Sequence, residues 1–389
     1  MFRKLMFVLI FIIFIPFSLF GQESVATFVV FPGDAGKNPK DAGLVIIDDY
    51  IYGTTLYGGT NDAGTIYRVK TDGMEYEVLH HFDGSTGSIP NGYPRGTLTY
   101  DGEKIFGNCQ YFSGNSGGIV FSINADGTGF RILADFYDSS GAFVNGKFPG
   151  YGGVTIADGV LYGSTSLGGA NDRGSIFSLN KDGSNFKVIY NFSTGLVTGH
   201  GCYSGVRYKN GYLYGATISG GQYSSGTIFR IRPDGSGFTV LRHLFSSDGA
   251  TPYAPLLLDG DTIYGLCFEG GVSNNGAVLS INIDGSGYKI LHTFSDSDGK
   301  DPGVFGGLTL LGPYLYGATK TGGGDNEGTL FRIKTDGSGF EVLSEFTLAG
   351  LSNYKGTLIY DAPYLIGSAY ADTDTGNGAL FRYYIGYLR

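Results

Sequence analysis

Residue types able to do chemistry are sparse in this chain, and most fall at recurring positions. Five histidines are present; His80 and His292 share one repeat position, and His81 and His243 lie on equivalent segments. Periodic placement points to structure rather than catalysis. His200 stands apart, in a TGHGC segment beside Cys202, where a histidine could in principle activate a thiolate. Side chains this close on one loop rarely meet as nucleophile and base. Cys202 is therefore expected to be structural, and Cys109 and Cys267 to be small buried residues at a position where sister repeats carry Thr55, Thr165, Thr217 and Thr319. The odd cysteine count leaves at least one thiol unpaired, and no CxxC or Cys/His spacing suggests zinc.

Asp296, Asp298 and Asp301 crowd together in SDSDGKD, as oxygen ligands for calcium would. The spacing misses the EF-hand loop, and the sister segments SSDGAT and DGSTGS keep only the Asp-Gly, so a turn is expected there, with no metal and no cofactor. No phosphate-binding loop occurs. What remains is a set of aromatics interleaved with Asn, Asp, Ser and Gly: Tyr57, Tyr111, Tyr151, Tyr203, Tyr223, Tyr253, Phe305 and Tyr354, with Tyr93, Phe112, Phe148, Phe268 and Tyr370 near them. An aromatic face beside planar polar groups suits a sugar ring, which offers apolar C–H patches and hydroxyls.

The elements that position these residues come from an internal repeat. An aromatic-glycine pair recurs as Tyr52-Gly53, Phe106-Gly107, Tyr162-Gly163, Tyr214-Gly215, Tyr264-Gly265 and Tyr316-Gly317, with Ile366-Gly367 as a degenerate seventh, at intervals of 50 to 56 residues. Each unit continues through a Gly-rich stretch, a GTIFRI-like run, a DGSGF turn and a VLHHF-like run. Asp-Gly and Asn-Gly dipeptides join the first two strands, and the GTIFRI run is β-branched and aromatic, so the unit reads as four short strands. No segment beyond the first 21 residues has sustained helical periodicity. Four strands per unit with this period predict an all-β, seven-bladed β-propeller. The last unit supplies only three strands, whereas residues 24–31, SVATFVVF, resemble a fourth, so the N-terminal strand is expected to complete the last blade and close the ring.

The segments LYGSTSLGGANDRGSIFSLNKDGSNFKVIYNF (161–192) and YLYGATISGGQYSSGTIFRIRPDGSGFTVLRHLF (212–245) resemble the Gloeo/Verruco (GloVer) repeat in their YG-x-T, GG, GT-[IV]-F and DG-[ST]-G-F landmarks. The resemblance runs over nearly all of the chain after residue 21; repeats two and seven depart from it at GNCQYFSGNSGG and IGSAYADTDTGNG. It implies an exported bacterial tandem-repeat protein and no established activity or ligand.

Composition narrows the function classes. The 389 residues include 68 Gly, 29 Phe and 29 Tyr but no Trp, and the net charge is −9. Glycine far above the ordinary ~7% without a Gly-X-Y period, with 42% hydrophobic residues, excludes both collagen and a disordered chain. An acidic chain without a basic patch is not suited to nucleic acid. Arg3 and Lys4 precede an apolar run to about Phe20, the form of a secretory signal peptide over 1–21, leaving 22–389 as one propeller domain with no later membrane-spanning segment. Antiparallel alternation puts the loops between strands two and three, and those leading to the next blade, on one face, and these are the long ones. The expected function is that of a secreted, monomeric, non-enzymatic propeller binding a glycan or a protein through that face. The alternatives are a polysaccharide hydrolase or lyase with acids converging at the central channel, and a scaffold that recruits partner proteins without a small ligand. No non-periodic cluster of acid, base or nucleophile breaks the repeat, which favours binding.

Overall fold

Blade 4 shows how local chemistry builds the unit. Val206–Lys209 turns into Tyr212–Thr217 through Asn210 and Gly211, whose φ angles of 49° and 79° are the left-handed pair of a tight hairpin. Thr227–Ile231 and Thr239–His243 complete the antiparallel order. Between them Asp234 accepts the Ser236 N–H at 2.8 Å, and Asp126, Asp182, Asp284 and Asp336 close the equivalent turns in the same way. The computed structural model describes residues 24–39, 43–84, 92–110, 117–138, 140–193, 197–303, 306–354, 356–372 and 374–386. Their strands form seven antiparallel sheets, and the only helix among the described residues is one 3-10 turn, Phe346–Ala349.

The sheets stand around a ring as blades. Among the described residues seven apolar clusters are present, and each draws its residues from two adjacent blades, including one that joins blade 7 to blade 1 through Val29, Phe31, Leu44, Ile51, Tyr67 and Leu380. Both faces of the two middle strands are thereby covered, which is why they read as near-continuous apolar runs, while the outermost strand stays half exposed. The ring is a seven-bladed β-propeller.

The recurring aromatic-glycine pair has a packing cause. Gly163 lies opposite Phe177 in the ladder, and a Cβ on it would sit 2.3 Å from the ring's Cζ. The third strand's aromatic ring crosses the second strand at the glycine. A second recurring feature is a buried hydroxyl pair, Thr55 with Thr65, Thr165 with Ser175, Thr217 with Thr227 and Thr319 with Thr329, at 2.8 to 3.0 Å. Where Cys109 and Cys267 take the first position, Ile119 and Ala277 face them. Both hydroxyls are replaced together, so neither is left without its partner.

Closure follows the expected route. Ala26–Val30 pairs with Ala379–Tyr384 as the outer strand of blade 7. In blades 1 to 6 the outer strand carries one extra residue opposite the third strand, as between Ile66 and Tyr67, and in blade 7 the same interruption falls between Thr27 and Val29. The Phe31 N–H then donates to Gly378 O at 3.1 Å, as Phe82 does to Gly64 O. The N-terminal strand thus reproduces the outer-strand register residue by residue. Residues 1–21, the expected signal peptide, lie outside the described residues.

Candidate functional site

Each blade's innermost strand is interrupted near the long-loop face. In blade 3, Lys147–Pro149 and Thr155–Ala157 both pair with Val160–Leu167, and residues 150–154 bulge out between them. Single bridges above the inner strand, His200 to Ser219 and Ala250 to Glu269, mark the same interruption in blades 4 and 5. The inner strands of neighbouring blades contact one another, so these bulges stand at the inner edge of the ring, around its axis. They are also tied blade to blade: the Thr97 N–H donates to Tyr151 O at 2.9 Å and the Gly152 N–H to Tyr203 O at 3.4 Å. Approach is close enough that a Cβ on Gly152 would lie 2.0 Å from Ser204 O, which explains a glycine there. The bulges form a collar around the axis of the ring.

One collar position, three residues before the buried apolar residue that opens each inner strand, carries Arg95, Tyr151, Tyr203 and Tyr253 in blades 2 to 5. Consecutive rings touch. Tyr151 and Tyr203 stack with centroids 5.5 Å apart, Tyr203 meets Tyr253 edge to face at 5.4 Å, and Tyr253 meets Phe268 at 5.6 Å. Tyr151 is buried beneath the row and its hydroxyl accepts a hydrogen bond from Arg95 Nη1 at 3.3 Å; Tyr203, Tyr253 and Phe268 keep a partly exposed surface. Burial, then the neighbouring Tyr203 and Glu269, raise the Tyr253 pKa, so its hydroxyl stays a donor.

Other candidates fall elsewhere. Tyr57 packs edge to face on Tyr93 at 5.7 Å, away from the row, and Tyr223 is exposed beside Phe245 at 5.2 Å on the rim of blade 4. Tyr354 is not on the surface: it is buried in the core between blades 6 and 7, stacked on Phe346 at 5.4 Å. The blade 7 loop is registered one residue differently from its sisters, which turns this ring inward. Tyr111, Phe112 and Phe305 lie outside the described residues.

The acidic trio is split among three sets of partners. Asp296 pairs with Lys300 at 3.0 Å and accepts from Asn275, Asp298 engages His292 Nε2 at 3.1 Å and the Ser295 N–H, and Asp301 accepts from Thr321 Oγ1. Among the described residues no group of three His, Cys, Asp or Glu is placed to hold a metal ion. Cys202 is buried, its thiol pushed up to about 11 by burial, and burial lowers the His200 pKa, so neither thiolate nor imidazolium is favoured. His80 and His292 stack on Phe130 and Phe340 at 3.8 and 3.6 Å, as packing residues of the outer strands.

One residue breaks the repeat in a way that the sequence reading missed. Arg207, on the inner strand of blade 4, carries a guanidinium within the collar, where Nη1 donates to Gly152 O at 3.1 Å and Val206 O at 3.2 Å. The available signal was a comparison of repeats position by position for departures in charge rather than for a catalytic cluster.

The Gloeobacter/Verrucomicrobia repeat model matches residues 16–201 and 149–381, and the chain belongs to that repeat family. No curated protein matches the sequence. Among solved structures it is similar to an ancestral GH74 enzyme, with 11% identity and a TM-score of 0.59 over 91% of this chain and 49% of that one. It is also similar to a prolyl endopeptidase (12%, TM-score 0.52, 92% and 53%) and to a puromycin-hydrolyzing peptidase of Mycobacterium tuberculosis (10%, TM-score 0.51, 94% and 57%). The chain spans about half the length of each, and at these identities the likeness is one of fold. No helix of the described residues is long and apolar enough to cross a membrane.

Proposed function

We propose that this protein, exported by means of residues 1–21, is a monomeric carbohydrate-binding propeller that takes its ligand at the collar of the long-loop face without cleaving it. The observation that carries the reading is the unbroken row Tyr151, Tyr203, Tyr253 and Phe268, the three tyrosines from blades 3, 4 and 5 and Phe268 from blade 5 as well, at centroid spacings of 5.4 to 5.6 Å. Contiguous ring surface, partly open and backed by a rigid collar, is what a sugar face stacks on, and the tyrosine hydroxyls supply polar contacts at its edge. Tyr151 acts as the buttress and Tyr203, Tyr253 and Phe268 as the contact surface.

Binding is favoured over hydrolysis by the state of the carboxyls. A general acid for glycoside cleavage needs a raised pKa. Around the loop face Asp296 and Asp372 are held below the ordinary range, Asp296 by Lys300 and Asn275 and Asp372 by hydrogen bonds from the Thr375 and Gly378 N–H groups that outweigh its burial. Asp248 is committed to Arg242. The described carboxyl pushed upward by burial is Asp135, on the outer strand of blade 2 rather than in the collar.

The test is a polysaccharide pull-down and glycan array on the chain from Gln22, with a product assay on every polymer retained. Expected are retention without products and a loss of about tenfold or more in affinity for Y203A and Y253A, since ring stacking contributes on the order of 1 kcal/mol or more per contact. Cleavage products would replace the reading with an enzyme, and retention of no glycan would end it.

A further inference from the structure

Seven residues share one structural position, that of the inner-strand residue paired with the first member of the aromatic-glycine pair. They are Val45, Thr99, Thr155, Arg207, Leu257, Thr309 and Ile359, opposite Tyr52, Phe106, Tyr162, Tyr214, Tyr264, Tyr316 and Ile366. Thr99 shows what the position ordinarily does: its hydroxyl donates to Val154 O of the next blade at 2.7 Å. The other uncharged residues fit the same packing role, and only blade 4 puts a permanent charge there.

The guanidinium is held but not neutralised. Both Nη1 hydrogens go to carbonyls, and that of Gly152 belongs to the same stretch of backbone that carries Tyr151 and hydrogen-bonds to Tyr203 O. Nε and Nη2 hydrogen-bond to no described residue, and no described carboxylate pairs with Arg207. Burial alone draws its pKa down to about 10, so it remains a cation at neutral pH, while the side chain retains partial exposure. A charge surrounded by protein yet still reached by solvent fits the inner edge of the ring. Three N–H donors therefore remain on the Nε/Nη2 edge, the fork that matches the two oxygens of a carboxylate. Leaving such a group without a counter-charge is costly to the fold, and a threonine would fill the position at no such cost.

We propose that the ligand of the collar is an acidic saccharide, one uronate carboxylate docking on the Nε/Nη2 edge of Arg207 while the sugar face lies against Tyr203 and Tyr253. This rests on the carbohydrate reading of the same site and adds the charge of the ligand to it. The net charge, −9 for the whole chain and more negative still without Arg3 and Lys4, opposes polyanions at long range, but that repulsion is screened beyond about 8 Å at physiological salt, whereas the contact at Arg207 is local.

The experiment is isothermal titration of the chain from Gln22 with a galacturonate hexamer and with its fully methyl-esterified counterpart, which has the same sugar backbone and no charge. Expected is a preference of about tenfold or more for the acid, abolished in R207T. R207T copies the residue of Thr99, Thr155 and Thr309, and should melt no lower than the unmodified chain. R207K, which keeps the charge but loses the planar fork, keeps only part of the preference and is the second variant if R207T folds poorly. Equal binding of acid and ester would overturn the inference while leaving the carbohydrate reading intact, as would a preference that survives R207T. Binding of neither hexamer, on a protein that also retains no array glycan, would end both.

Discussion

At the crossings inside the blades, the third strand lays Tyr67, Phe121, Phe177, Phe229, Leu279, Phe331 or Phe381 over a glycine of the second. At the collar, a few residues up the chain toward the axis, one repeat position holds Arg95, Tyr151, Tyr203 and Tyr253, and another holds a single arginine among Thr, Val, Leu and Ile. The interior sees the same neighbour in every blade, because each sheet packs on a copy of itself, and one solution serves seven times. The collar borders solvent, so packing does not require its residues to agree from blade to blade. Repetition therefore marks what holds this ring together, and departure from repetition marks where it can recognise something else.

The largest expected effect comes from breaking the interior where the ring closes. Phe31 is 1% exposed in the core between blades 7 and 1, so F31A should cost about 3 to 5 kcal/mol in urea denaturation. A loss under about 1 kcal/mol would mean that closure depends on the strand's backbone pairing alone.

A smaller effect should come from the crossing itself, and it should differ between blades. In blade 3 an added Cβ meets Phe177 Cζ at 2.3 Å, whereas in blade 5 the residue opposite Gly265 is Leu279, and the nearest contacts lie at 3.3 Å. G163A is expected to destabilise by about 1 to 3 kcal/mol and G265A by less than about 1, both read by thermal and urea unfolding. Equal costs would show that the glycine serves the backbone and not the ring that crosses it.

The smallest effect at neutral pH is expected on the outer strand, where repeats disagree. His80 occupies a position that is Tyr190 in blade 3, and both rings stack on a phenylalanine, Phe130 at 3.8 Å and Phe238 at 4.3 Å. Burial first, and then the charge of His81, lower the His80 pKa from 6.5 to about 4. The unfolded chain thus binds more protons than the folded one between these values, so the stability contributed is complete above pH 6.5 and declines as pH falls toward 4. H80Y should leave stability near pH 7.5 almost unchanged and flatten part of that decline, with His200, His243 and His292, each also lowered by burial, contributing to what remains. An identical pH profile for variant and parent would remove His80 from this role.

Much of the fold was legible because its causes are local and repeated. The Asn210-Gly211 hairpin, the Asp234 turn and the missing fourth strand of the last repeat all predict what the structure contains. The candidate site was legible only in part. Tyr151, Tyr203 and Tyr253 could be named as loop aromatics, but Tyr354 carries the same signal and is buried, because its loop meets the ring one residue out of register. Arg207 lay in plain sight and gave no signal of its own, since an arginine on a β-strand is ordinarily a surface residue.

The sequence by itself determined the unit, its turns, its number and the strand that closes the ring, since these depend on dihedral preference, alternation and recurrence within about 50 residues. Only the tertiary structure decided which of the scattered aromatics meet and what stands beside them. Residues 151, 203 and 253 are neighbours because blades close a circle, and Arg207 joins them because its side chain reaches Gly152 on the adjoining blade. Contacts of that kind depend on the angle between sheets and on which edge faces the axis, and those are set by the packing of the whole ring rather than by any one segment.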